Sequence, residues 1–138
     1  MRPDRFQAFV LEQLGAHPAV AQAAPLAETG ETRYPYGVAV KLTAGGEFRW
    51  QITAESAPGD RYSEPEQPVE GDPAPGVQAP AVSGPYGLAD ADAFMAHVLT
   101  AGRSAELRAV QRRDGGLTVT CHNRARLYLR ALPIPAQR

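Results

Sequence analysis

One cysteine, three histidines and a run of carboxylates are the residues of this chain that could carry out chemistry. Cys121 and His122 are adjacent, the residue types of a thiol nucleophile and its base. They fall inside "LTVTCHNRARLYLRAL", Leu117 to Leu132, which alternates between apolar and polar positions. Successive side chains of a strand point to opposite faces, so this thiol and this imidazole are not placed to share a proton. Cys121 shares its parity with Leu117 and Val119 and reads as a buried, inert thiol. His17, His97 and His122 stand at no diagnostic spacing. The sequence has no His-x-x-x-His, Cys-x-x-Cys, phosphate-binding glycine loop or nucleophile elbow. Asp60, Glu64, Glu66, Glu70 and Asp72 could surround a hard cation, but they do not follow the calcium-loop pattern and prolines stiffen their spacing. The expectation is a non-enzyme, with no catalytic residue, no metal site, no cofactor and no evident small-molecule substrate.

The arginines make the other chemically suggestive set. Arg124, Arg126, Tyr128 and Arg130 share the polar parity of the same stretch, and Arg108 and Arg112 precede it. A guanidinium donates two parallel hydrogen bonds to a carboxylate or phosphate, and a tyrosine among arginines can stack a base. These six residues are the expected contact surface for a partner. The balance of the chain argues against nucleic acid as the first choice. Its formal net charge is −1 and its pI about 6.3, whereas nucleic-acid domains are usually basic. The neutrality hides segregation. Residues 55–92 hold eight acids and Arg61 alone, while residues 101–138 hold eight arginines against Glu106 and Asp114. Such separation marks either a basic contact face or two differently solvated segments.

The elements that would position these residues follow from periodicity. Phe6, Phe9, Val10 and Leu14 recur at helical spacing after Pro3, which suits a first turn, and Gly15 and Pro18 end the run. "PAVAQAAPLAE" suggests a second, weaker helical turn cut by Pro25. "YGVAVKLTAGGEFRWQIT" is a hairpin with Val38, Val40, Trp50 and Ile52 on its inner face and Ala44-Gly45-Gly46 at its turn. Residues 55–88 hold seven of the thirteen prolines and read as a long acidic loop. "LADADAFMAHVLTAG" is a second helix, with Phe94, Met95, Val98 and Leu99 in one stripe. "AELRAVQRRDGGLTVTC" is a second hairpin turning at Asp114-Gly115-Gly116. Fifteen extended residues after it would be unusually long, so a tight turn or bulge is expected near His122-Asn123-Arg124. A helix beginning after Asn123 is the competing reading.

The expected fold is α+β: two helices on one face of a four- to five-stranded antiparallel sheet made of two hairpins, with the Pro-rich acidic loop between the halves. One domain spans residues 1–138. Residues 1–54 form its first half, 55–88 the loop, and 89–138 the second half with the basic strand face. "AFVLEQLGA" echoes "AFMAHVLTAG", and "PYG" occurs at both 35–37 and 85–87, but the offsets differ and a duplication does not follow from them. A lone cysteine and no apolar run near the roughly 20 residues of a membrane helix point to a cytoplasmic setting without membrane insertion. The order of helix, "YPYGVAV" strand, hairpin, loop, helix and strands resembles small phage tail-completion and terminator proteins. That resemblance implies a subunit that assembles into rings. The expected function is a macromolecular interaction module. A protein partner or self-assembly comes ahead of nucleic acid.

Overall fold

Pro3 sits in the first turn of helix α1 (Pro3–Gly15), where its missing N–H would have no intrahelical acceptor anyway. Phe6, Val10 and Leu14, each one turn beyond the last, are fully buried. Helix α2 (Ala91–Ala101) buries Phe94, Met95, Val98 and Leu99 in the same way. Thr100, the one buried polar side chain of the described core, donates its hydroxyl proton to the Ala96 carbonyl at 2.9 Å. A computed structural model describes residues 1–80, 91–113 and 115–134 of the chain.

The strands are β1 (Val20–Pro25), β2 (Gly37–Leu42), β3 (Glu47–Glu55), β4 (Leu107–Arg113), β5 (Gly116–Cys121) and β6 (Arg126–Leu132). They form one antiparallel sheet in the order β1-β2-β3-β6-β5-β4. Val38, Val40, Phe48, Trp50, Ile52, Leu117, Val119, Leu127 and Leu129 point to one face and meet both helices there. Each large side chain buried in this way contributes roughly 1.5–3 kcal/mol. Trp50, with no exposed surface, is a core residue, and Phe48 packs edge-on against it at 5.4 Å between centroids. Phe9 is only partly buried, at the margin of the core. The class is α+β as expected, but the sheet has six strands.

The additional strand is β1, in the stretch read as a helical turn. Alanines at 21, 23 and 24 favour a helix locally, but pairing with β2 decides the outcome, since strand formation depends on the neighbouring ladder. A single 3-10 turn (Leu26–Thr29) follows it. The final stretch breaks where a tight turn was expected: Arg124 N–H donates to the Cys121 carbonyl at 3.0 Å, and β6 begins at Arg126. The helical alternative after Asn123 is therefore excluded. Of the expected 55–88 loop, residues 56–80 contain neither helix nor strand, while 81–88 lie outside the described residues, as do Asp114 and the second "PYG".

The two halves repeat one α-β-β-β unit. Val38 faces Trp50 as Leu117 faces Leu129, and Val20 faces Leu42 as Leu107 faces Cys121. β1 carries a bulge between Val20 and Gln22, and β4 carries one between Leu107 and Ala109. Before each first strand a side chain caps the chain entry: His17 Nδ1 accepts from Ala19 N–H at 3.1 Å, and Ser104 Oγ from Glu106 N–H at 3.3 Å. Leu42 N–H donates to the Gly46 carbonyl as Cys121 N–H donates to that of Ala125. The units meet along β3 and β6, whose register places Gln51 opposite Arg130. Those two residues are also counterparts in the repeat, so a local two-fold axis passes through their pair. Unequal connections hide the duplication from the sequence. The chain from β1 to β2 runs through residues 26–36, whereas Arg113 and Gly116 close the β4–β5 hairpin directly.

One counterpart pair differs in an instructive way. Gly45 turns between β2 and β3 with φ +97°, and Arg124 occupies the same place between β5 and β6 with φ +72°. A left-handed backbone costs a residue with a Cβ roughly 1–2 kcal/mol. Arg124→Gly is therefore expected to raise stability by about 0.5–1 kcal/mol, the relieved strain less the added freedom of the unfolded chain. A denaturant midpoint that falls instead would show that the Arg124 side chain holds the acidic segment nearby.

Candidate functional site

The helices cover one face of the sheet; on the opposite face the Leu26–Thr29 turn packs over β2, with Leu26 against Gly37, and the β6-β5-β4 part is open among the described residues. Register defines its side chains in rows. Arg113 pairs with Gly116 and Arg130 with Gln51, and both pairs fall in one row when the β5–β6 register is continued one residue past Leu117 and Leu129. The next row is Gln111, Thr118, Tyr128 and Thr53, and the one after it Ala109, Thr120, Arg126 and Glu55. Arg113, Arg126 and Arg130 are exposed, and Thr118, Thr120 and Tyr128 are half-buried. The Tyr128 hydroxyl donates to Glu55 Oε2 at 2.9 Å, fixing the ring against the sheet.

Two shallow depressions flank Tyr128. One, of about 480 Å³, is lined by Gln111, Arg113, Thr118, Thr120, Arg126 and Tyr128. The other, of about 210 Å³, lies between Arg113 and Arg130 over Gly116, with Gln51 and Thr118 in its wall. Gly116 is itself buried there, against the Leu129 carbonyl of β6. Strand spacing sets Arg113 and Arg130 roughly 10 Å apart at the backbone, and Arg126 lies roughly 13 Å from Arg130 along β6.

Of the six residues expected from sequence to form a contact surface, Arg126, Tyr128 and Arg130 are brought together here. The other three are elsewhere. Arg112 faces Leu117, so its side chain leaves the sheet on the helix side, where its charge acts on Asp92 at the start of α2. Burial raises the Asp92 carboxyl above its ordinary pKa, and Arg112 opposes that shift. Arg108 is the extra residue of the β4 bulge. Arg124 lies in the β5–β6 turn beside Asp60, Glu64 and Glu66, in a cleft of about 380 Å³. The sequence reading missed Arg113. The bulge inverts the parity of β4, but closing the hairpin with two residues, Asp114-Gly115, would have set Arg113 beside Gly116 on the open face.

Among the described residues, no carboxylate of the acidic segment forms an ion pair with Arg113, Arg126 or Arg130. Asp60 receives Nη2–H of Arg2 at 2.8 Å, and the same guanidinium donates to the carbonyls of Arg61 and Glu64. Arg5 bridges Glu66 and Glu106. Further along, Gly71 N–H donates to the Ala105 carbonyl and His122 Nε2–H to that of Asp72, both at 2.8 Å. His97 Nδ1–H and the Thr100 hydroxyl hold Val77 from either side of its peptide. Residues 56–80 therefore lie as a strap along the helix side of the sheet, with Ala74 buried in the core.

The histidines and the thiol are engaged within this packing. His17 lies 5.3 Å from His97 between ring centroids, and burial, then the charge of His97, lowers its pKa. Burial pushes the Cys121 thiol up, away from the thiolate a nucleophile needs. Among the described residues no group of three His, Cys, Asp or Glu is disposed to hold a metal ion, and no helix is long and apolar enough to cross a membrane. Comparison with protein-family models, curated proteins and solved structures returns no match. The resemblance to tail-completion proteins thus rests on the order of elements and the "PYGV" strand start alone.

Proposed function

We propose that this protein is a non-enzymatic interaction module that binds a macromolecular partner on the open face of its sheet. One observation carries the reading: the part of this face formed by β4, β5, β6 and the Gln51–Glu55 end of β3, roughly 14 Å across, faces solvent with no described element packed on it. The sheet edges are less suited to pairing with another chain. Pro25 and a bulge interrupt β1, while β4 has its own bulge and three arginines, devices that discourage edge-to-edge association. A protein partner is favoured over nucleic acid because Tyr128 is the single aromatic side chain that the described strands present on this face. Single-strand binding uses successive stacking platforms.

The test is a photo-crosslinking amino acid placed at Thr118 or Thr53 on the open face, and at exposed Glu12 of α1 as a control. Irradiation in a cell lysate is expected to give an adduct of one defined mass from the two sheet positions and none from Glu12. Adducts from Glu12 alone, or none from either sheet position, would refute the proposed face.

A further inference from the structure

The duplication lets the charges of the two units be compared position by position. Both units use the same strands, bulge and turn, but the Leu26–Thr29 turn covers part of the first unit's face. At matched positions the first unit presents Lys41, Glu47 and Arg49 where the second presents Thr120, Arg126 and Tyr128. Glu47 and Arg49 neutralise each other at 2.9 Å. Gln51 is replaced by Arg130, and Arg113 extends β4 beyond the counterpart of Pro25. The second unit thus carries three arginines on this face and no acid of its own. Glu55, reaching in from the end of β3, is the neighbouring carboxylate, and it accepts from Tyr128. None of Arg113, Arg126 and Arg130 makes an ion pair among the described residues. The Glu47–Arg49 pair is half-buried beside the Leu26–Thr29 turn, whereas Arg113, Arg126 and Arg130 are exposed and carry their charge to solvent.

We infer that the second unit's open face docks an acidic polypeptide segment in extended form, one carboxylate against Arg126 and another between Arg113 and Arg130. The inference rests on the interaction-module reading above and names the chemistry of the partner. Side chains four residues apart on an extended chain point the same way and stand roughly 13 Å apart, the separation of Arg126 and Arg130 along β6. The guanidinium fork donates two hydrogen bonds to a carboxylate, and the depression lined by Arg113, Gly115 and Arg130 gives one carboxylate room between two forks. Thr118, Thr120 and Gln51 offer further donors and acceptors beside them. A polyphosphate backbone fits less well. Its closely spaced charges would also fall on the Tyr128 row, where the Glu55 carboxylate accepts from the tyrosine, whereas a peptide with carboxylates four residues apart leaves that row uncharged.

Direct titration of the full chain tests this. The probes are a labelled serine-rich peptide with glutamates at positions i and i+4, the same peptide with glutamine in their place, and a twelve-nucleotide oligothymidine. The glutamate peptide should saturate the protein at low salt, with amide shifts concentrated on Thr118, Thr120 and Tyr128. Affinity should fall at least tenfold in Arg126→Ser and in the Arg113→Ser/Arg130→Ser double variant, and stay unchanged in Lys41→Ser. Unaltered melting temperatures would show that the variants remain folded. Binding of the glutamine peptide with equal affinity, an equal loss in Lys41→Ser, or saturation by the oligonucleotide alone would overturn the inference. If the peptide fails while a cross-linker at Thr118 still gives its adduct, the interaction module survives and its acidic partner does not.

Discussion

Alanine at either Gly37 or Gly116 is expected to destabilise the fold more than any surface change, by about 3 kcal/mol. That is the upper end of the range for overpacked sites. The two glycines are counterparts, each opening the second strand of its unit. A Cβ on Gly37 would run into the Trp50 carbonyl oxygen, and one on Gly116 into that of Leu129. Backbone oxygen in a paired strand cannot rotate away as a side chain can, so the sheet must shift at its centre. Gly15→Ala is the control. A methyl group there meets nothing within 4 Å, and alanine is the better helix former. Urea midpoints of the three variants decide the matter. Tolerance at Gly116 with collapse at Gly37 would mean that the two units are not equivalent where the register makes them so.

Removing the cation at the root of the strap is expected to release it. Arg5→Ala leaves Glu66 and Glu106 facing each other without the guanidinium between them. The cost should be about 1–2 kcal/mol, below that of a fully buried pair because Arg5 is partly exposed. Cleavage within residues 58–72 under limited proteolysis should accelerate, and Arg5→Lys should restore part of the protection. Acid should act in the same direction on the wild type. Burial tends to raise the Glu66 pKa, but hydrogen bonds from Arg5 and the Arg2 backbone amide outweigh it and hold it below the ordinary value. Asp60 is lowered chiefly by its hydrogen bonds from Arg2. A carboxylate with a depressed folded pKa adds stability that is complete above the unfolded pKa, near 4.5 for Glu66, and is lost as pH falls through the folded one. Wild-type strap protection should therefore fall below about pH 4, and the difference from Arg5→Ala should narrow there. Equal cleavage of wild type and variant at pH 7 would show that other contacts hold the strap.

The parts of this architecture legible in sequence are those governed by local periodicity. Both helices, the inner faces of both hairpins and the break near Asn123 follow from apolar spacing and turn residues. Strand β1 was not legible because an alanine-rich segment states no strand preference, and only its partner supplies one. Arg112 and Arg113 exchanged roles because one extra residue in β4 inverts every later side chain. The strap's anchors were hidden for another reason: Arg2 and Arg5 find Asp60 and Glu66 across more than fifty residues, and no spacing rule reports such an encounter. On β6 itself, parity alone placed Arg126, Tyr128 and Arg130 together. What parity could not supply was the partner of each charge: Glu47 meets Arg49 in one unit, while among the described residues Arg126 and Arg130 form no ion pair in the other.

The local two-fold axis at Gln51 and Arg130 has a consequence for how the chain can vary. If the same two units associated as separate identical molecules, their seam would depend on protein concentration, and every substitution would appear on both sides of it. Joined in one chain, they meet at an effective concentration on the order of millimolar, whatever the dilution. Each side is then free to change alone. Glu47 can stay paired with Arg49 while its counterpart is Arg126, and a glycine turn in one unit can become Arg124 in the other. Covalent linkage thus gives the molecule two distinguishable halves, one keeping balanced charge and the other free to concentrate arginine.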